Sequence, residues 1–401
     1  MSQIEITTLG KSCEFFNGKA HEKSIDENGK YIVVNSKFIS QEGRVIKRTN
    51  AQMYPLYKGD IVMVMSDVPN GKALAKCFII DKNDNYSLNQ RICCIRSKEF
   101  DNKYLYYQLN RHEHFLAFNN GENQTNLRKD DILDCPLIKP SLEEQKRMVE
   151  ELDDTFLKLE IAIKNLQTNY NNSDEIFDAF CHKSLWEDLS NRPHKLLSEI
   201  VDNKKGGIKI GPFGSALKIG ELVEKVDVRV LYIENIVNNS FDWHKEKYIT
   251  KEKFSELKNY EVFSGDVLIT IMGTIGRTAV VPENLGTAII SSHLIKITPN
   301  KDLVSPEYLN YSLNRNPFVV EQLFGQAKGA IMKGINSTIV KSLVIPLPSL
   351  EEQKLIVSNL NILFKETEKL KTIYSDKLNN ISLIKGSILT RAFENEFIEA
   401  E

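Results

Sequence analysis

Long apolar runs are absent from the 401-residue sequence: none approaches the ~20 residues that a membrane-spanning helix requires. The N-terminus also lacks the basic, apolar and small-residue succession of a secretory signal. We therefore expect a cytoplasmic protein that makes no membrane contact.

Metal-binding and disulfide patterns are missing as well. The six cysteines have no C-x-x-C spacing, and the seven histidines form no H-E-x-x-H motif. We therefore expect reduced thiols and no metal site. The cysteines are Cys13, Cys77, Cys93, Cys94, Cys135 and Cys181.

Sequences that resemble catalytic motifs are incomplete. Ser215 and Lys218 have S-x-x-K spacing, but no S-D-N or K-T-G triplet accompanies them. Asn316 begins an N-P-F triplet that lacks the second proline of the N-P-P-Y/F loop of amino-methyltransferases. A turn at the end of a helix explains it better. The glycines between 206 and 214 form neither a Walker-type nor a dinucleotide-binding loop. These absences favour a binding or scaffold protein without catalytic residues or a cofactor; an enzyme would have to depend on Ser215, Lys218 and Asn316.

What the chain does contain is a repeat. Residues 140–146 and 348–354 both read P-S-L-E-E-Q-K, and apolar matches continue beyond them at the same offset of 208. A repeat of about half the chain indicates duplication rather than a solenoid.

Each copy of the repeat predicts the start of a long helix. Ser141 with Glu144, and Ser349 with Glu352, have capping-box spacing directly after a proline. The first copy continues as a coiled-coil heptad seam, whose natural partner is the second helix; two ordinary core helices are the alternative. The seam comprises Leu142, Gln145, Val149, Leu152, Phe156, Leu159, Ile163, Leu166, Tyr170, Ser173, Phe177 and Phe180.

The segments before the two helices also match each other. Gly59-Asp60 and Gly265-Asp266 each precede a β-branched run, which predicts strands at 61–65 and 267–271. Residues 104–111 and 308–315 predict equivalent short helices, and residues 132–138 and 339–347 predict the strands that lead into the long helices.

The predicted fold class is therefore α+β, with an internal pseudo-two-fold repeat. Two diverged globular domains alternate with two long helices that pair as an antiparallel coiled coil. We place the domains at 1–140 and 190–347, and the helical stretches at 141–189 and 348–401.

Charge divides along the same boundaries. The overall net charge of −2 is made of +3 for residues 1–140, +4 for 190–347, and −9 for the two helical stretches together. The mildly basic globular domains are compatible with an anionic partner.

This arrangement resembles the specificity subunit of type I restriction-modification enzymes. The resemblance is carried by the stretches around P-S-L-E-E-Q-K, by Gly211-Pro212-Phe213-Gly214-Ser215, by Gly273-Thr274-Ile275-Gly276-Arg277 and by Lys333-Gly334-Ile335-Asn336. The first half departs from the pattern: it has no clear G-P-F-G-S segment, and Lys72-Ala73-Leu74-Ala75 stands where G-T-I-G-R is expected.

The resemblance implies a non-catalytic DNA-recognition subunit of an enzyme complex that acts in phage defence. Each globular domain would be a target recognition domain for one half of an asymmetric bipartite site in double-stranded DNA. The helices would set the spacing and dock two DNA adenine methyltransferase subunits, joined by two restriction/translocase subunits. The main alternative is a protein-only coiled-coil adaptor without sequence-specific DNA binding.

Loop position and side-chain chemistry select candidate DNA-binding residues. Basic residues beside loops are expected to contact phosphates, and polar residues to read base edges. The basic candidates are Lys19, Arg44, Lys47, Arg48, Arg128, Lys129, Lys205, Lys209, Lys218, Arg277, Lys328 and Lys333. The polar candidates are Asn123, Gln124, Ser215, Thr274, Ser291, Ser292 and Asn336. For any single residue, an ordinary solvated surface position is the alternative.

Overall fold

The computed structural model describes residues 5–21, 23–69, 71–203, 206–213, 216–224, 228–237, 239–243, 246–325 and 335–400, the last seven through their helical backbone. Within these ranges, no helix is long and apolar enough to cross a membrane. The chain divides into two compact units. The first unit is Met1–Leu166 with Asp376–Glu401, and the second unit is Gln167–Ser375.

The first unit contains an α+β domain followed by a long helix. Its strands are β1 (Glu5–Thr8), β2 (Glu14–Asn17), β3 (Tyr31–Val34), β4 (Arg48–Thr49), β5 (Ile61–Val64), β6 (Ser66–Asp67), β7 (Cys77–Ile79), β8 (Tyr86–Leu88), β9 (Ile92–Arg96), β10 (Thr125–Asn126) and β11 (Pro136–Lys139). Its helices are α1 (Leu9–Ser12), α2 (Ser36–Ser40), α3 (Asn102–Leu109), α4 (Glu113–Leu116), α5 (Lys129–Leu133) and the beginning of the long helix α6 (Leu142–Leu185).

The second unit has the same organisation. Its strands are β12 (His194–Leu196), β13 (Ile208–Ile210), β14 (Val228–Leu231), β15 (Ile236–Val237), β16 (Ser240–Phe241), β17 (Tyr248–Ile249), β18 (Glu261–Val262), β19 (Val267–Thr270), β20 (Thr278–Val280), β21 (Ala288–Ile290), β22 (Leu294–Ile297) and β23 (Val344–Pro346). Its helices are α7 (Lys251–Leu257), α8 (Pro306–Arg315), α9 (Pro317–Gly325), α10 (Ser337–Lys341) and the beginning of the long helix α11 (Leu350–Ala400).

The sheets of the two units repeat one topology. A four-stranded sheet has the order β2-β9-β5-β7 in the first unit and β13-β22-β19-β20 in the second. A second sheet contains one parallel pair, β3 with β8 or β14 with β21. The first and last strands of each domain pair antiparallel, β1 with β11 and β12 with β23. The predicted duplication of an α+β domain is confirmed.

Both central strands are buried on both faces, as their unbroken apolar runs require. In β5, Ile61 and Met63 face the cluster that contains α3, while Val62 and Val64 face the second sheet. In β19, Val267 and Ile269 face one cluster and Leu268 faces another.

The repeated P-S-L-E-E-Q-K stretch joins each long helix to its own domain through a buried glutamine. Gln145 accepts the amide hydrogen of Asp101 at 2.8 Å and donates to the Pro140 carbonyl at 2.9 Å. Gln353 accepts from the Ser305 amide at 2.9 Å and donates to the Pro348 carbonyl at 2.9 Å. Since Asp101 and Ser305 are the N-cap residues of α3 and α8, each glutamine fixes the start of a long helix against the start of a short one.

The capping boxes predicted from the same stretch are confirmed. The amide of Glu144 donates to Ser141 Oγ at 3.3 Å, and that of Glu352 donates to Ser349 Oγ at 3.3 Å. Each hydroxyl therefore satisfies an amide that the first helical turn leaves without a partner.

Two predicted strands are wrong over their first residues. The stretches 132–138 and 339–347 each begin in a short helix, α5 or α10, and only β11 and β23 are extended. Side-chain hydrogen bonds at the helix starts explain the helical turns. The Asp131 carboxylate in the first turn of α5 accepts the amide of the N-cap residue Arg128, and Oδ1 of the N-cap residue Asn336 accepts the Ile339 amide.

The long helices pair antiparallel within each unit. In the first unit, Lys385 of α11 lies over the Phe156 ring at 5.2 Å, whereas Phe393 lies in the cluster that contains Val149. In the second unit, Lys371 binds Asp174 at 2.9 Å, and Phe364 packs on Phe177 at a ring separation of 5.3 Å. In both units, contact partners on α11 come earlier in the sequence as those on α6 come later, so the two helices run in opposite directions.

Burial on α6 follows most of the predicted seam. Leu152, Phe156, Ser173 and Phe177 are buried. Leu142 is an exception, with 51% of its surface exposed, because the capped first turn precedes the region in which the helices pack. Its assignment to the seam is corrected.

Candidate nucleic-acid interface

In the second unit, three segments meet at one end of the four-stranded sheet, which we call the loop end. They are the segment that follows β13, the connection between β19 and β20, and the turn before β22. The Gly211 amide donates to the Leu294 carbonyl at 3.1 Å, and the Ile271 amide donates to the His293 carbonyl at 3.0 Å. These backbone bonds bring Thr274, Arg277 and Ser292 to one end of the sheet.

A buried threonine shapes the connection between β19 and β20. Thr270 Oγ1 donates to the Thr274 carbonyl at 2.5 Å and accepts the Arg277 amide at 3.0 Å. Gly273 and Gly276 adopt φ of +70° and +85°, a region that glycine enters without steric cost. The result is a tight loop on which Thr274 is exposed and Arg277 is half-buried.

Gly211 is required at the loop end because two backbone segments approach each other there. A Cβ at this position would lie 2.0 Å from the Ser291 carbonyl oxygen. Ser291 itself is only 2% exposed. The prediction that Ser291 reads a base is therefore corrected, because its side chain is enclosed by the turn that approaches Gly211. Ser292, the next residue, is half-buried, and its role stays a prediction.

The first unit builds the same loop end with different side chains. The Gly18 amide donates to the Ile92 carbonyl at 3.2 Å, and the Met65 amide donates to the Arg91 carbonyl at 3.0 Å. A Cβ on Gly18 would lie 2.0 Å from the Asn89 carbonyl oxygen. Gly18 is thus the counterpart of Gly211, and the exposed Lys19 follows it. The sequence concealed this match because only one glycine of the G-P-F-G-S pattern remains.

Strand register also reveals a basic residue that the sequence prediction missed. Met63 pairs with Cys77 as Ile269 pairs with Thr278, so Lys76 is the counterpart of Arg277. Ala75 adopts φ +56°, as Gly276 does at +85°. The register places Lys72-Ala73-Leu74-Ala75 opposite Gly273-Thr274-Ile275-Gly276, and Lys76 is the next residue of the same match.

A third loop joins the same end of the first unit. Strand β10 pairs with β6, and the Leu127 amide donates to the Met65 carbonyl at 2.8 Å. Asn123 and Gln124, directly before β10, are exposed beside it. Arg128 occupies the N-cap position of α5, as Asn336 does in α10, and Lys129 lies over the Phe15 ring at 6.0 Å.

Comparison with known proteins identifies this duplicated architecture. The type I restriction modification DNA specificity domain family matches residues 1–169 and 213–379, which cover both halves of the chain. The chain belongs to this family. Membership indicates that the protein recognises DNA sequence.

Relatives within this family are distant in sequence. The chain is 23% identical over 328 residues to the type I restriction enzyme EcoBI specificity subunit of Escherichia coli, covering 77% of this chain and 69% of the relative. It is 26% identical over 319 residues to the putative specificity subunit S.HindORF215P of Haemophilus influenzae, covering 76% and 75%.

Solved structures share the fold across nearly the whole chain. One, described under complex assembly and conformational transition of the type I R-M system, superposes with a TM-score of 0.73 at 16% identity and covers 98% of both chains. The HsdS subunit from Thermoanaerobacter tengcongensis gives a TM-score of 0.60 at 17% identity, covering 98% of this chain and 97% of that one.

Other candidate residues of this specificity-family chain lie away from the loop ends. Arg48 lies in β4 of the second sheet, and Arg44 and Lys47 lie in the connection that leads into β4. Arg44 pairs with Glu42 at 3.4 Å. Lys209 lies within β13, with its ammonium 5.6 Å from the centre of the Tyr260 ring. Lys218 is exposed next to the 3-10 turn Ile219–Glu221. Lys205, Ser215, Lys328 and Lys333 lie outside the described residues.

Of the three residues on which an enzyme would have to depend, Asn316 has a structural role and Ser215 lies outside the described residues. Asn316 is buried, donates to the Leu185 carbonyl at 2.6 Å and accepts the Phe318 amide at 3.0 Å. It therefore forms the turn between α8 and α9, as its sequence context predicted. Over the described part of the chain, no cluster of three metal-ligating side chains is present. The six cysteines are free thiols, and burial raises the pKa of Cys13 to about 11 and of Cys93 to about 12.

Proposed function

We propose that this chain is the non-catalytic DNA-recognition subunit of a type I restriction-modification complex, in which each α+β domain reads one half of an asymmetric bipartite site. The proposal rests on the loop end that is built twice with different side chains. Thr274 and Arg277 occupy it in the second unit, and Ala73 and Lys76 occupy the matching positions in the first. Base-edge contacts depend on side-chain identity. Two loop ends with different side chains are therefore expected to read two different half-sites.

We infer the domain boundaries with support from the ends of the elements. We assign the recognition domains to residues 1–140 and 190–347, and the spacers to 141–189 and 348–401. In support, β11 ends at Lys139 directly before α6, and β23 ends at Pro346 directly before α11.

The helices are the proposed docking surface for two DNA adenine methyltransferase subunits, with two restriction/translocase subunits completing the complex. Apolar side chains on the outside of a helix pair support protein association. Those more than half exposed include Leu157, Ile161, Ile176, Leu355 and Ile362. The methyltransferase partners would carry S-adenosylmethionine and the reacting groups, leaving this chain to position the DNA.

Mapping adenine methylation across a genome tests the proposal. Cells that express this chain with its methyltransferase should show a split motif, two short defined halves around an unspecified gap. Replacing residues 1–140 with the domain of a relative should change one half only, and replacing 190–347 should change the other. Methylation without sequence preference, or unchanged by both replacements, would overturn the assignment.

Single residues at the loop end separate base reading from phosphate binding. In the assembled complex, Thr274→Ala should relax the requirement at one base pair, by about 1–3 kcal/mol of discrimination. Arg277→Ala should weaken binding to all DNA sequences similarly. It should also reduce the slope of the log binding constant against log salt concentration by about one.

Both changes are measured by DNA titration over a series of salt concentrations. Ser255→Ala, an exposed change on α7, is the matched control and should alter neither quantity. The protein-only adaptor predicts no sequence preference and no steep salt dependence in any of these proteins.

A further inference from the structure

A tight turn occupies the middle of the loop end in the first unit. The Ile92 amide donates to the Asn89 carbonyl at 3.0 Å and closes a four-residue turn directly before β9. The Arg91 carbonyl accepts the Met65 amide at 3.0 Å, and the Asn89 amide donates to the Val34 carbonyl at 3.1 Å. The backbone of the turn is therefore fixed to the ends of β3 and β5.

The second unit holds the equivalent turn, before β22, by the same three bonds. The Leu294 amide donates to the Ser291 carbonyl at 3.1 Å. The His293 carbonyl accepts the Ile271 amide at 3.0 Å, and the Ser291 amide donates to the Leu231 carbonyl at 2.8 Å. The match between the two turns is therefore one of backbone hydrogen bonds, and it places His293 at the position of Arg91.

The two middle residues of the turn differ between the units. Gln90 and Arg91 are exposed in the first unit, whereas Ser292 and His293 are half-buried in the second. A fixed backbone sets where a side chain is presented, and the side chain itself sets which base edge it can bond. The turn therefore has the properties expected of a specificity-determining position.

Sheet order places this turn between two basic positions. In the order β2-β9-β5-β7, the turn before β9 lies between Lys19, which closely follows β2, and the connection from β5 to β7, which carries Lys76. Neighbouring strands are about 4.8 Å apart, so the two outer strands are separated by roughly 14 Å. The major groove is ~12 Å wide. Lysines at the edges of the loop end are thus suited to phosphates, and a side chain between them is suited to base edges.

The Arg91 side chain is available for such a contact. It is exposed, and no ion pair holds its guanidinium within the described part of the chain. Asp67, in the adjoining connection, bonds backbone instead: its Oδ2 accepts the Ala73 amide at 2.6 Å and the Leu74 amide at 3.1 Å. Arginine offers a planar donor fork that pairs with O6 and N7 of guanine, the commonest specific contact in the major groove.

We propose that Arg91 is a specificity-determining residue that reads a guanine in the half-site of the first domain. This inference rests on the proposed recognition of DNA by the two domains and adds a named base contact to it. Lys19 and Lys76 hold phosphates on either side of that base. At the matching position of the second unit, His293 lacks the donor fork, so the same turn gives the second domain no bidentate guanine contact.

Arg91→Ala in the assembled complex tests the base contact. The parent should require guanine at one position of one half-site. The variant should accept any base there, with discrimination reduced roughly 5- to 150-fold, and the other half-site should stay unchanged. Titration with duplexes that carry each base pair in turn across the methylated motif measures the change. Lys98→Ala, an exposed change beyond the other end of β9, is the matched control and should alter neither half-site.

His293→Arg tests the same turn by a gain of specificity. It should add a guanine requirement to the half-site of the second domain and leave the first half-site unchanged. Methylation of the parent motif by this variant, without the added guanine, would contradict the role of the turn.

Two further outcomes separate this inference from the proposed function. If Arg91→Ala weakens binding to all sequences equally, the arginine is a phosphate contact and the inference is overturned, while the split motif of the parent leaves the proposed function intact. A parent complex that methylates without any sequence preference overturns both.

Discussion

At the scale of single residues, buried polar groups define the domains as much as apolar packing does. Gln353 has no exposed surface, and its amide bonds the Ser305 amide together with the Leu303 and Pro348 carbonyls. A side chain that satisfies three buried backbone groups cannot be shortened without leaving them unpaired.

Gln353→Ala should therefore lower the free energy of unfolding of the second unit by roughly 2–4 kcal/mol. Urea titration followed by the fluorescence of Trp186 and Trp243, which both lie in this unit, measures the change. Lys354→Ala, at the exposed neighbouring position, is the control and should stay within about 0.5 kcal/mol of the parent chain. Equal effects of the two changes would contradict the role given to the glutamine.

The partly buried His112 makes the stability of the first unit depend on pH. His112 Nδ1 accepts the His114 amide at 3.1 Å, which requires an unprotonated nitrogen. Burial, together with the nearby His114, lowers the pKa of His112 from 6.5 to about 4. Because the pKa of His112 is lower in the folded chain than in the unfolded chain, the folded state has its full stability above about pH 6.5. It loses stability as the pH falls toward 4.

Acidification from pH 7 to 4 should thus destabilise the parent chain more than a His112→Gln variant, by about 1–3 kcal/mol. Amide hydrogen exchange of residues in α3 and α4 at several pH values measures the difference. His182→Gln, at an exposed position, is the control. Parallel pH curves for parent and His112→Gln would exclude this histidine as the cause.

At the scale of elements, the long helices are stabilised by contacts on one narrow face. Phe177 is buried and packs against Phe364 within the second unit, whereas its neighbour Ile176 is 54% exposed. The helix face, rather than hydrophobicity alone, decides what each side chain contributes.

Phe177→Ala should cost about 3–5 kcal/mol of stability, because it removes a large buried ring. Ile176→Ala should be nearly neutral for stability and should instead weaken assembly with the methyltransferase if the proposed docking surface is correct. Thermal unfolding of the isolated chain and gel filtration with the partner measure the two effects. A large loss of stability from Ile176→Ala would show that the wrong face had been assigned.

At the scale of the whole molecule, duplication lets one chain carry two recognition domains that have diverged independently. The proposed function separates the bases that are read, set by the loop ends, from their spacing, set by the helices. Removing one heptad from each long helix preserves the phase of the seam. This deletion should change the length of the unspecified gap in the methylated motif while leaving both defined halves intact.

Methylation mapping with the shortened chain tests this separation. Removing five residues from one helix alone rotates the following part of its seam by about 140° and should abolish methylation. A change in the defined halves after removal of whole heptads would contradict the independence of the two functions.

Several features were determined by the sequence itself. The capping boxes, the heptad spacing and the offset of 208 are local or periodic patterns, so they predicted the long helices and the duplicated α+β plan. Strand and helix assignments failed where short apolar runs begin after a capping residue. There, α5 and α10 form because a side chain satisfies the first free amides, a competition that hydrophobic periodicity does not record.

The loop ends were decided only by the tertiary structure. Gly18 matches Gly211, and Lys76 matches Arg277, through strand register that a diverged sequence no longer displays. Ser291 is polar and lies in a loop, yet a close backbone approach encloses it. The bidentate pair of Arg96 with Asp60, more than 30 residues away in sequence, likewise depends on strand register. Long-range contacts of this kind depend on how strands pair, and no local pattern specifies them.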